Sequence, residues 1–252
     1  GLAGGDRRTR HTRRLQCKQI IDCTGGADTA ALAGMPRLRE AETQPGSILF
    51  QIGGEFRWGH DHPDQLYVPG ADSSNADTRT KAIIEGRQKV LRELLARRAQ
   101  PGGENLQLVD LRHETAVRES WRIEGEYRIT RDDIAGGQSF EDAVCYSFYP
   151  IDLHTEQGVN PVQLQPGVVP TVPLRALTPK GRRNFLVAGR SVSSDRLANS
   201  SLRVQASCMA MGQAAGAAAA LAARAGISPL EVPLDGIRAL LSQHGAVVPE
   251  KV

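Results

Sequence analysis

The sequence predicts a mixed α/β fold in which a second domain is inserted into a first one. Two short apolar strands, near residues 20 and 185, each run into glycine, and an alanine-rich helix follows the second strand. Residues 36–76 change to short strands and loops rich in Pro, Gly, His and Trp. This order indicates an α/β core with an added domain. The expected boundaries are residues 1–35 and 176–226 for the first domain, 36–175 for the inserted substrate domain, and 227–252 for a C-terminal helical segment.

Composition excludes several classes of protein. The chain has 252 residues, of which 40% are hydrophobic, enough for one large domain or two interleaved ones. A net charge of +3 is too small to indicate a nucleic-acid partner, and an aromatic content of 4% argues against surfaces that stack bases. The four cysteines form no C-x-x-C pair, which disfavours zinc ribbons, iron–sulfur clusters and dithiol redox sites. They are typical of small buried side chains in a reducing compartment, so the cytoplasm is the expected location.

No membrane span and no signal peptide are predicted. No segment reaches the roughly 20 apolar residues needed to cross a bilayer, and the stretch from Ala214 to Ala223 predicts a buried helix. The chain opens on Gly1 and a basic run rather than on methionine, so we expect the start of the first domain to lie upstream. That run predicts a solvated hairpin, with a phosphate-binding arm as the alternative, and its arginines are Arg7, Arg8, Arg10, Arg13 and Arg14.

Two strands of the first domain end in turns that a ligand can approach closely. Lys18–Asp22 predicts the first strand, which ends at Thr24-Gly25-Gly26, where glycine permits a sharp turn. Asp28 follows, and residues 29–34 then predict a short helix. The second strand covers residues 184–187 and ends at Ala188-Gly189-Arg190. Ligands of open α/β sheets bind at the carboxyl ends of the strands, so both turns are candidate binding segments.

The inserted domain is predicted to combine one long helix with short strands. The helix follows capping residues at 73–77, and its apolar stripe consists of Ile83, Ile84, Val90, Leu91, Leu94 and Leu95. Residues 106–111, 121–129 and 169–174 predict strands. Thr130–Asp133 and Ser139–Asp142 each carry the S/T-x-x-D/E pattern of a helix start.

A long alanine-rich helix ends the first domain, and the sequence leaves its start open between two positions. It begins either within Val204–Cys208 or at Gly212, and it ends at Gly226. The side chains of Gly212–Gly216 are mostly small, so a flat ring can approach them. If the helix began at Gly212, its free N–H groups and its dipole would stabilise negative charge on that ring. The alternative for this segment is a close-packed core helix.

These features favour a flavin as the ligand, and the chain resembles a bacterial family of FAD-dependent oxidoreductases with a glutathione-reductase-like flavoprotein fold. The segments that carry the resemblance are Ile21–Gly34, Arg122–Tyr127, Tyr149–His154, Val187–Arg190 and Ser200–Gly216. They span most of the chain and occur in the family's order. Gly26 stands where the family's motif has Asp.

The resemblance implies that FAD is the cofactor and that hydride passes between a small-molecule substrate and flavin N5. The residues that it assigns to the cofactor are Thr24, Gly25, Gly26, Asp28, Gly189, Arg190, Gly212, Gln213 and Ala214. The family begins with a strand, a G-x-G-x-x-G turn and a helix that hold the FAD pyrophosphate, and this sequence contains no such segment. Either the sequence is therefore a fragment or another chain supplies that segment.

His154 and Arg203 are the candidate catalytic residues. Hydride transfer needs a group that moves a proton, and His154 lies at the expected boundary between the domains. Arg203 precedes the flavin-facing helix and is suited to binding a carboxylate or stabilising an anion. The alternative for His154 is a hydrogen-bonded structural histidine, and for Arg203 it is a salt bridge to an acidic neighbour.

Several other residues are weaker candidates for a functional site. Arg118 and Arg122 could bind an anion, and Tyr149 could donate a hydrogen bond or belong to the core. The pattern His60-Asp61-His62 is more typical of a surface loop than of a metal site, so no metal is predicted.

The sequence supports two functional hypotheses of different classes. The leading one is a flavin-dependent oxidoreductase represented by its distal FAD-binding and substrate portions. The second is a flavin-free, catalytically silent partner subunit with a role in assembly, which the missing pyrophosphate segment favours. Dithiol–disulfide reductase chemistry is a weaker third hypothesis, because the cysteines are not paired in the sequence.

Overall fold

The computed structural model describes residues 14–53, 64–159 and 161–250, and the chain divides into two compact units. The first unit comprises the described residues of Gly1–Arg39, Trp121–Asp152 and Pro161–Val252. The second comprises those of Glu40–Ser120 and Leu153–Asn160. The inserted part is thus shorter than the expected range of 36–175, since residues 121–152 belong to the first unit. Of the predicted arginine cluster, only Arg14 lies within the described residues, and it is exposed.

Short strands and six helices make up the regular structure of the described residues. The strands are β1 (Ile20–Asp22), β2 (Arg37–Leu38), β3 (Gly46–Ile52), β4 (Asp64–Val68), β5 (Leu108–Leu111), β6 (Arg122–Ile123), β7 (Ala143–Tyr146), β8 (His154–Thr155), β9 (Gly158–Val159), β10 (Thr171–Pro173) and β11 (Phe185–Val187). The α-helices are α1 (Asp28–Leu32), α2 (Ala76–Arg98), α3 (Arg131–Gly136), α4 (Arg196–Leu202), α5 (Gln205–Ala225) and α6 (Leu234–Gln243). Single 3-10 turns cover Leu174–Leu177, Gly189–Ser191 and Pro229–Glu231.

The parallel pair of β1 and β11 is the part of the first unit that matters most for function. Ile20 lies opposite Phe185 and Asp22 lies opposite Val187, so both strands end at the same edge. The Ala188 N–H donates to the Asp22 carbonyl at 3.1 Å, which extends the pairing by one residue. Both strands were predicted, and their glycine turns follow at this shared edge.

Helix α5 packs through its small side chains into the core of the first unit. Met211, Ala215 and Ala218 are fully buried, in one cluster with Leu186 of β11 and Ile237 of α6. Alanine has the highest helix propensity and permits close packing, so this stretch forms a buried helix as predicted. By length and composition alone, α5 is also a helix that could cross a membrane, a test that the core helix of a soluble protein passes as well.

Two capping patterns in the first unit have different outcomes. Thr130 and Asp133 form the predicted reciprocal cap at the start of α3. The helix predicted after Ser139 is wrong, because residues 143–146 form β7, which pairs with β10. The Asp142 carboxylate, which a helix cap would use, instead accepts hydrogen bonds from Arg175 N–H and Nε, both at 3.0 Å. Tertiary pairing outweighs the local pattern here.

The second unit is a three-stranded antiparallel sheet, in the order β4-β3-β5, covered by α2. Asn75 caps α2 by accepting a hydrogen bond from Thr78 N–H at 2.9 Å. The helix packs closely at Gly86, where an added Cβ would lie 2.6 Å from Thr115 Oγ1 and 3.2 Å from Ile48 Cβ of β3.

The buried face of α2 differs from the predicted stripe. Its buried residues are Ala82, Gly86, Val90 and Leu94, spaced by four. Ile84, Leu91 and Leu95, by contrast, are 51%, 56% and 54% exposed. The prediction is wrong for these three residues because it assumed that the large apolar side chains face the sheet. The buried face instead includes the small residues Ala82 and Gly86.

The cysteines do not share one environment. All four are free thiols, and Cys145 is buried as expected. Cys17 and Cys23 are exposed, so the interpretation of all four as small buried side chains is wrong for these two.

Candidate functional site

The turns that follow β1 and β11 meet at the edge where both strands end. Gly25 has a φ of +76°, and a Cβ added to it would lie 2.7 Å from Arg190 Nη2 and 3.0 Å from Arg190 Nε. The guanidinium therefore lies directly against the Gly25 backbone. Only glycine combines this backbone conformation with such close approach. The structure thus brings together two residues that the sequence assigns to the cofactor.

Asp22 holds the turn that follows β1 in place through hydrogen bonds. Its buried carboxylate accepts hydrogen bonds from Thr24 N–H at 2.9 Å and Thr24 Oγ1 at 2.7 Å through Oδ1. Its other oxygen accepts from Ala30 N–H at 3.0 Å. Thr24 Oγ1 in turn accepts from Asp28 N–H at 2.9 Å. Asp22 was predicted only as a strand residue, although an aspartate at the end of an apolar strand before Thr-Gly-Gly is a usable signal.

A strained alanine links this turn to the segment after β11. Ala27 is fully buried with a φ of +52°, the one described non-glycine residue with a positive value. Its N–H donates to the buried hydroxyl of Ser191 at 3.0 Å. Left-handed backbone costs a residue with a Cβ about 1–2 kcal/mol and persists where the surroundings fix it. Ser191, which the sequence analysis did not single out, is one of the groups that fix it.

Arg37 also holds the turn that follows β1, through contacts with Gly26 and Asp28. Its Nη1 donates to the Gly26 carbonyl at 3.0 Å and lies 3.5 Å from Asp28 Oδ1. The guanidinium also lies 4.7 Å from the centre of the Trp121 ring. Asp28 and Gly26, both predicted to bind the cofactor, therefore have structural partners that hold the turn, and Gly26 is buried.

The N-terminus of α5 reaches this edge at Gly189. A Cβ added to Gly189, whose φ is +83°, would lie 3.7 Å from Cys208 Sγ. Burial raises the pKa of the Cys208 thiol, while the charges of Arg190 and Arg203 act against that rise. Burial lowers the pKa of the Arg190 guanidinium, and Cys208 and Asp28 act against that change.

Helix α5 begins at Gln205, which settles the two starts left open by the sequence. The start within Val204–Cys208 is confirmed, and the start at Gly212 is wrong. The first backbone bond of the helix runs from Cys208 N–H to the Val204 carbonyl at 2.9 Å. The N–H groups that precede it, those of residues 205–207, are the ones a helix leaves for a ligand or for water. Gly212 lies two turns further along, where backbone N–H groups are used within the helix.

The three predicted cofactor residues within α5 have three different surroundings. Ala214 is fully buried in the core. Gln213 lines a cavity of about 340 Å³ whose walls come from β7, α5, α6 and residues 245–247. Gly212 adjoins open space, since an added Cβ would meet no atom within 4 Å. Gly212 is spaced one turn from Cys208, and so of the three it lies nearest in angle to the strand ends.

Arg203 ends α4 and is held by an acidic neighbour. Its Nη2 donates to the Asp152 carbonyl at 2.9 Å and lies 3.5 Å from Asp152 Oδ2, with 11% of its side chain exposed. The salt bridge stated as the alternative for Arg203 is therefore present.

His154 belongs to the second unit and contacts a tyrosine. Its Nδ1 lies 3.1 Å from Tyr67 Oη, and the two rings meet edge to face with centroids 5.8 Å apart. Its backbone N–H donates to Gln44 Oε1 at 3.1 Å. Tyr67 was missed, because it lies on β4, 87 residues earlier, and only the fold brings it to His154.

The other arginine and tyrosine candidates have structural partners. Arg118 Nη1 donates to Ser47 Oγ at 2.7 Å and to the Pro45 carbonyl at 3.0 Å. Arg122 is buried, donates to the Ser194 carbonyl at 3.0 Å, and burial lowers its pKa to about 10. The backbone carbonyl of Tyr149 accepts a hydrogen bond from Ser201 Oγ at 2.6 Å.

Metal ligands do not cluster in the part of the chain that the structure describes. No group of three His, Cys, Asp or Glu side chains in residues 14–53, 64–159 and 161–250 is placed to hold an ion. The pattern His60-Asp61-His62 lies outside these residues.

Comparison with protein-family models matches residues 47–241 to the family described as FAD dependent oxidoreductase. The match covers more than three quarters of the chain and includes β11, Arg190 and α5. The comparisons with curated proteins and with solved structures give no significant match.

Proposed function

Because the chain belongs to the family of FAD dependent oxidoreductases, we propose that it catalyses hydride transfer between a small-molecule substrate and N5 of its FAD cofactor. The observation that carries this proposal is the meeting of three segments at one edge. Gly25 lies against Arg190, and Gly189 lies against Cys208 at the start of α5. Ligands of α/β folds bind where strands end and helices begin.

The residues at this edge fit the flavin end of FAD. Glycine at 25 lets the Arg190 guanidinium lie against the backbone at this edge, and beside Gly212 an added Cβ would meet no atom within 4 Å. Arg190 and the first turn of α5 supply positive charge, which suits a ring that gains negative charge on reduction. When bound, FAD supplies the hydride acceptor or donor.

We assign the roles of the chain's own residues in two groups. Thr24, Gly25 and Gly189 let the ring approach the strand ends, and Asp22 and Ser191 hold those turns in position. Arg190 stabilises negative charge at the edge of the ring. We propose that Gly212 leaves room for the cofactor. Gln213 and Ala214 hold α5 in position.

On the substrate side we propose roles for His154 and Arg203. His154 handles the proton that accompanies hydride transfer, since an imidazole changes its charge near neutral pH. Arg203 holds an anionic group of the substrate, since a guanidinium is suited to binding carboxylates. The substrate is a small molecule, and the cytoplasm is the proposed location.

We place the pyrophosphate segment at the outer edge of β1. Within the described residues, β1 pairs with β11 alone. Parallel strands are rarely left in pairs, because such sheets are buried and extended. We propose that a strand followed by a G-x-G-x-x-G turn and a helix adds to this edge, from residues outside this sequence or from another chain. That segment supplies the helix N-terminus that holds a pyrophosphate.

The experiment that tests the proposal is the absorption spectrum of the purified full-length protein, before and after incubation with FAD. Flavin absorption that stays with the protein through gel filtration supports it, and bleaching by sulfite, which adds to N5, supports a positively charged ring edge. A colourless protein that remains colourless after incubation with FAD would refute the proposal and favour the flavin-free partner subunit.

A further inference from the structure

The Tyr67–His154 pair carries an inference about which nitrogen of the histidine bears hydrogen. We propose that Tyr67 is a positioning residue that fixes the hydrogen of the neutral His154 ring on Nε2. The proposal rests on the proposed function in one respect, namely that His154 acts during the reaction. It concerns a residue that no motif in the sequence points to.

The hydroxyl of Tyr67 has one hydrogen-bond partner within the described part of the chain, and that partner is His154 Nδ1, 3.1 Å away. A phenol hydroxyl both donates and accepts hydrogen bonds. A neutral imidazole has one nitrogen that donates and one that accepts. If Nδ1 carried the hydrogen, the phenol hydrogen would have no acceptor among these residues. Donation from Tyr67 to Nδ1 pairs the phenol hydrogen with the Nδ1 lone pair. The ring hydrogen of the neutral imidazole then lies on Nε2.

Neighbouring contacts anchor the backbone of His154. The backbone N–H of His154 is bound to Gln44 Oε1 at 3.1 Å, and the Gln44 N–H is bound to Glu119 Oε2 at 3.0 Å. Both Gln44 and Glu119 are buried, so the backbone of β8 is anchored.

On the other side of the pair, two basic residues fix Tyr67. Lys89 Nζ donates to the Tyr67 carbonyl at 2.7 Å, and the Arg118 guanidinium lies 5.7 Å from the centre of the Tyr67 ring. These contacts hold the backbone and the ring of Tyr67 in place.

The consequence concerns what His154 can do. With the Nδ1 lone pair used by Tyr67, the neutral ring carries a hydrogen at Nε2 rather than a lone pair. The tautomer therefore leaves His154 the donating side of the proton transfer proposed above, and it disfavours a role as a general base through Nε2.

The test is side-chain 15N NMR of the full-length protein with labelled histidine, at a pH of about 8, where an ordinary imidazole is neutral. The His154 signals are assigned by their loss in His154→Gln. The expected result is the Nε2–H tautomer in the wild type and a measurable gain of the Nδ1–H form in Tyr67→Phe. Tyr127→Phe is the matched control, since that hydroxyl donates to Asp133 Oδ2 at 3.0 Å and to no histidine.

Two outcomes would overturn the proposal. One is the Nδ1–H tautomer in the wild type, which requires no variant to fold. The other is an identical tautomer ratio in wild type and Tyr67→Phe, with backbone amide spectra that report an intact fold. FAD binding is measured on the same samples. Absence of FAD binding by the wild type, together with the expected tautomer shift in Tyr67→Phe, refutes the proposed function while the role of Tyr67 stands.

Discussion

At the scale of single residues, the site depends on a few side chains that fix unusual backbone. Ala27 adopts left-handed backbone at a position without glycine, and the Ser191 hydroxyl binds its N–H across 164 residues of sequence. Sequence patterns report neighbours a few residues apart, so Thr24-Gly25-Gly26 could be predicted and Ser191 could not. Tyr67 was missed for the same reason.

Replacing Ser191 by Ala should weaken both folding and FAD binding. The change leaves the buried Ala27 N–H without its acceptor, which costs about 1–3 kcal/mol. We expect the free energy of unfolding to fall by that amount in urea titrations, and FAD affinity to fall by about tenfold or more, equivalent to about 1.4 kcal/mol.

The matched control is Ser207→Ala, because Ser207 is also buried and its hydroxyl bonds Ser147 Oγ at 2.8 Å, beside the cavity lined by Gln213. We expect this variant to lose stability while it keeps its FAD affinity. Equal losses of affinity in both variants would mean that Ser191 acts only through general stability.

Thiol reactivity should separate Cys145 from the exposed cysteines. Burial raises the pKa of Cys145 to about 12, so almost no thiolate forms at pH 8. Alkylation of the native protein, followed by mass spectrometry, should modify exposed Cys17 and leave Cys145 unmodified until denaturant is added. Rapid native modification of Cys145 would contradict the packing of β7.

At the scale of elements, local signals predicted the helix starts whose partners lie within four residues. The Asn75 and Thr130 caps were predictable, because the residues that complete them follow directly in the sequence. The start of α5 was left open, since Val204 provides no side-chain cap. The strand β7 was predicted as a helix, because its partner β10 lies about 25 residues away and overrides the capping pattern.

Removing the cap of α2 should destabilise the second unit. In Asn75→Ala the Thr78 N–H loses its acceptor, and caps of this type contribute about 1 kcal/mol. Urea unfolding should report this decrease. The control is Thr80→Ala within the same helix, where the hydroxyl bonds only the Ala76 carbonyl one turn back, and we expect a change within about 0.5 kcal/mol. A larger loss in Thr80→Ala than in Asn75→Ala would contradict the assigned start of α2.

At the scale of the whole molecule, the chain belongs to the family of FAD dependent oxidoreductases, as its sequence resemblance implies. The fold class was predictable, because apolar strands ending in glycine and an alanine-rich helix are local features. The limits of the two units were not, since the chain leaves the first unit at Arg39 and crosses between the units again near residues 121, 153 and 161. Such crossings depend on pairings such as β2 with β6, which join distant residues.

The central claim is that FAD lies where Gly25 meets Arg190, and paired alanine substitutions test it most directly. Gly25 and Gly34 both have positive φ, +76° and +70°, so alanine strains the backbone similarly at each. Only at Gly25 would the new Cβ displace the Arg190 guanidinium, since at Gly34 it meets no atom within 4 Å. FAD titration of the full-length variants should show affinity at least about tenfold weaker for Gly25→Ala and within about twofold of wild type for Gly34→Ala. Wild-type affinity in Gly25→Ala would contradict the account.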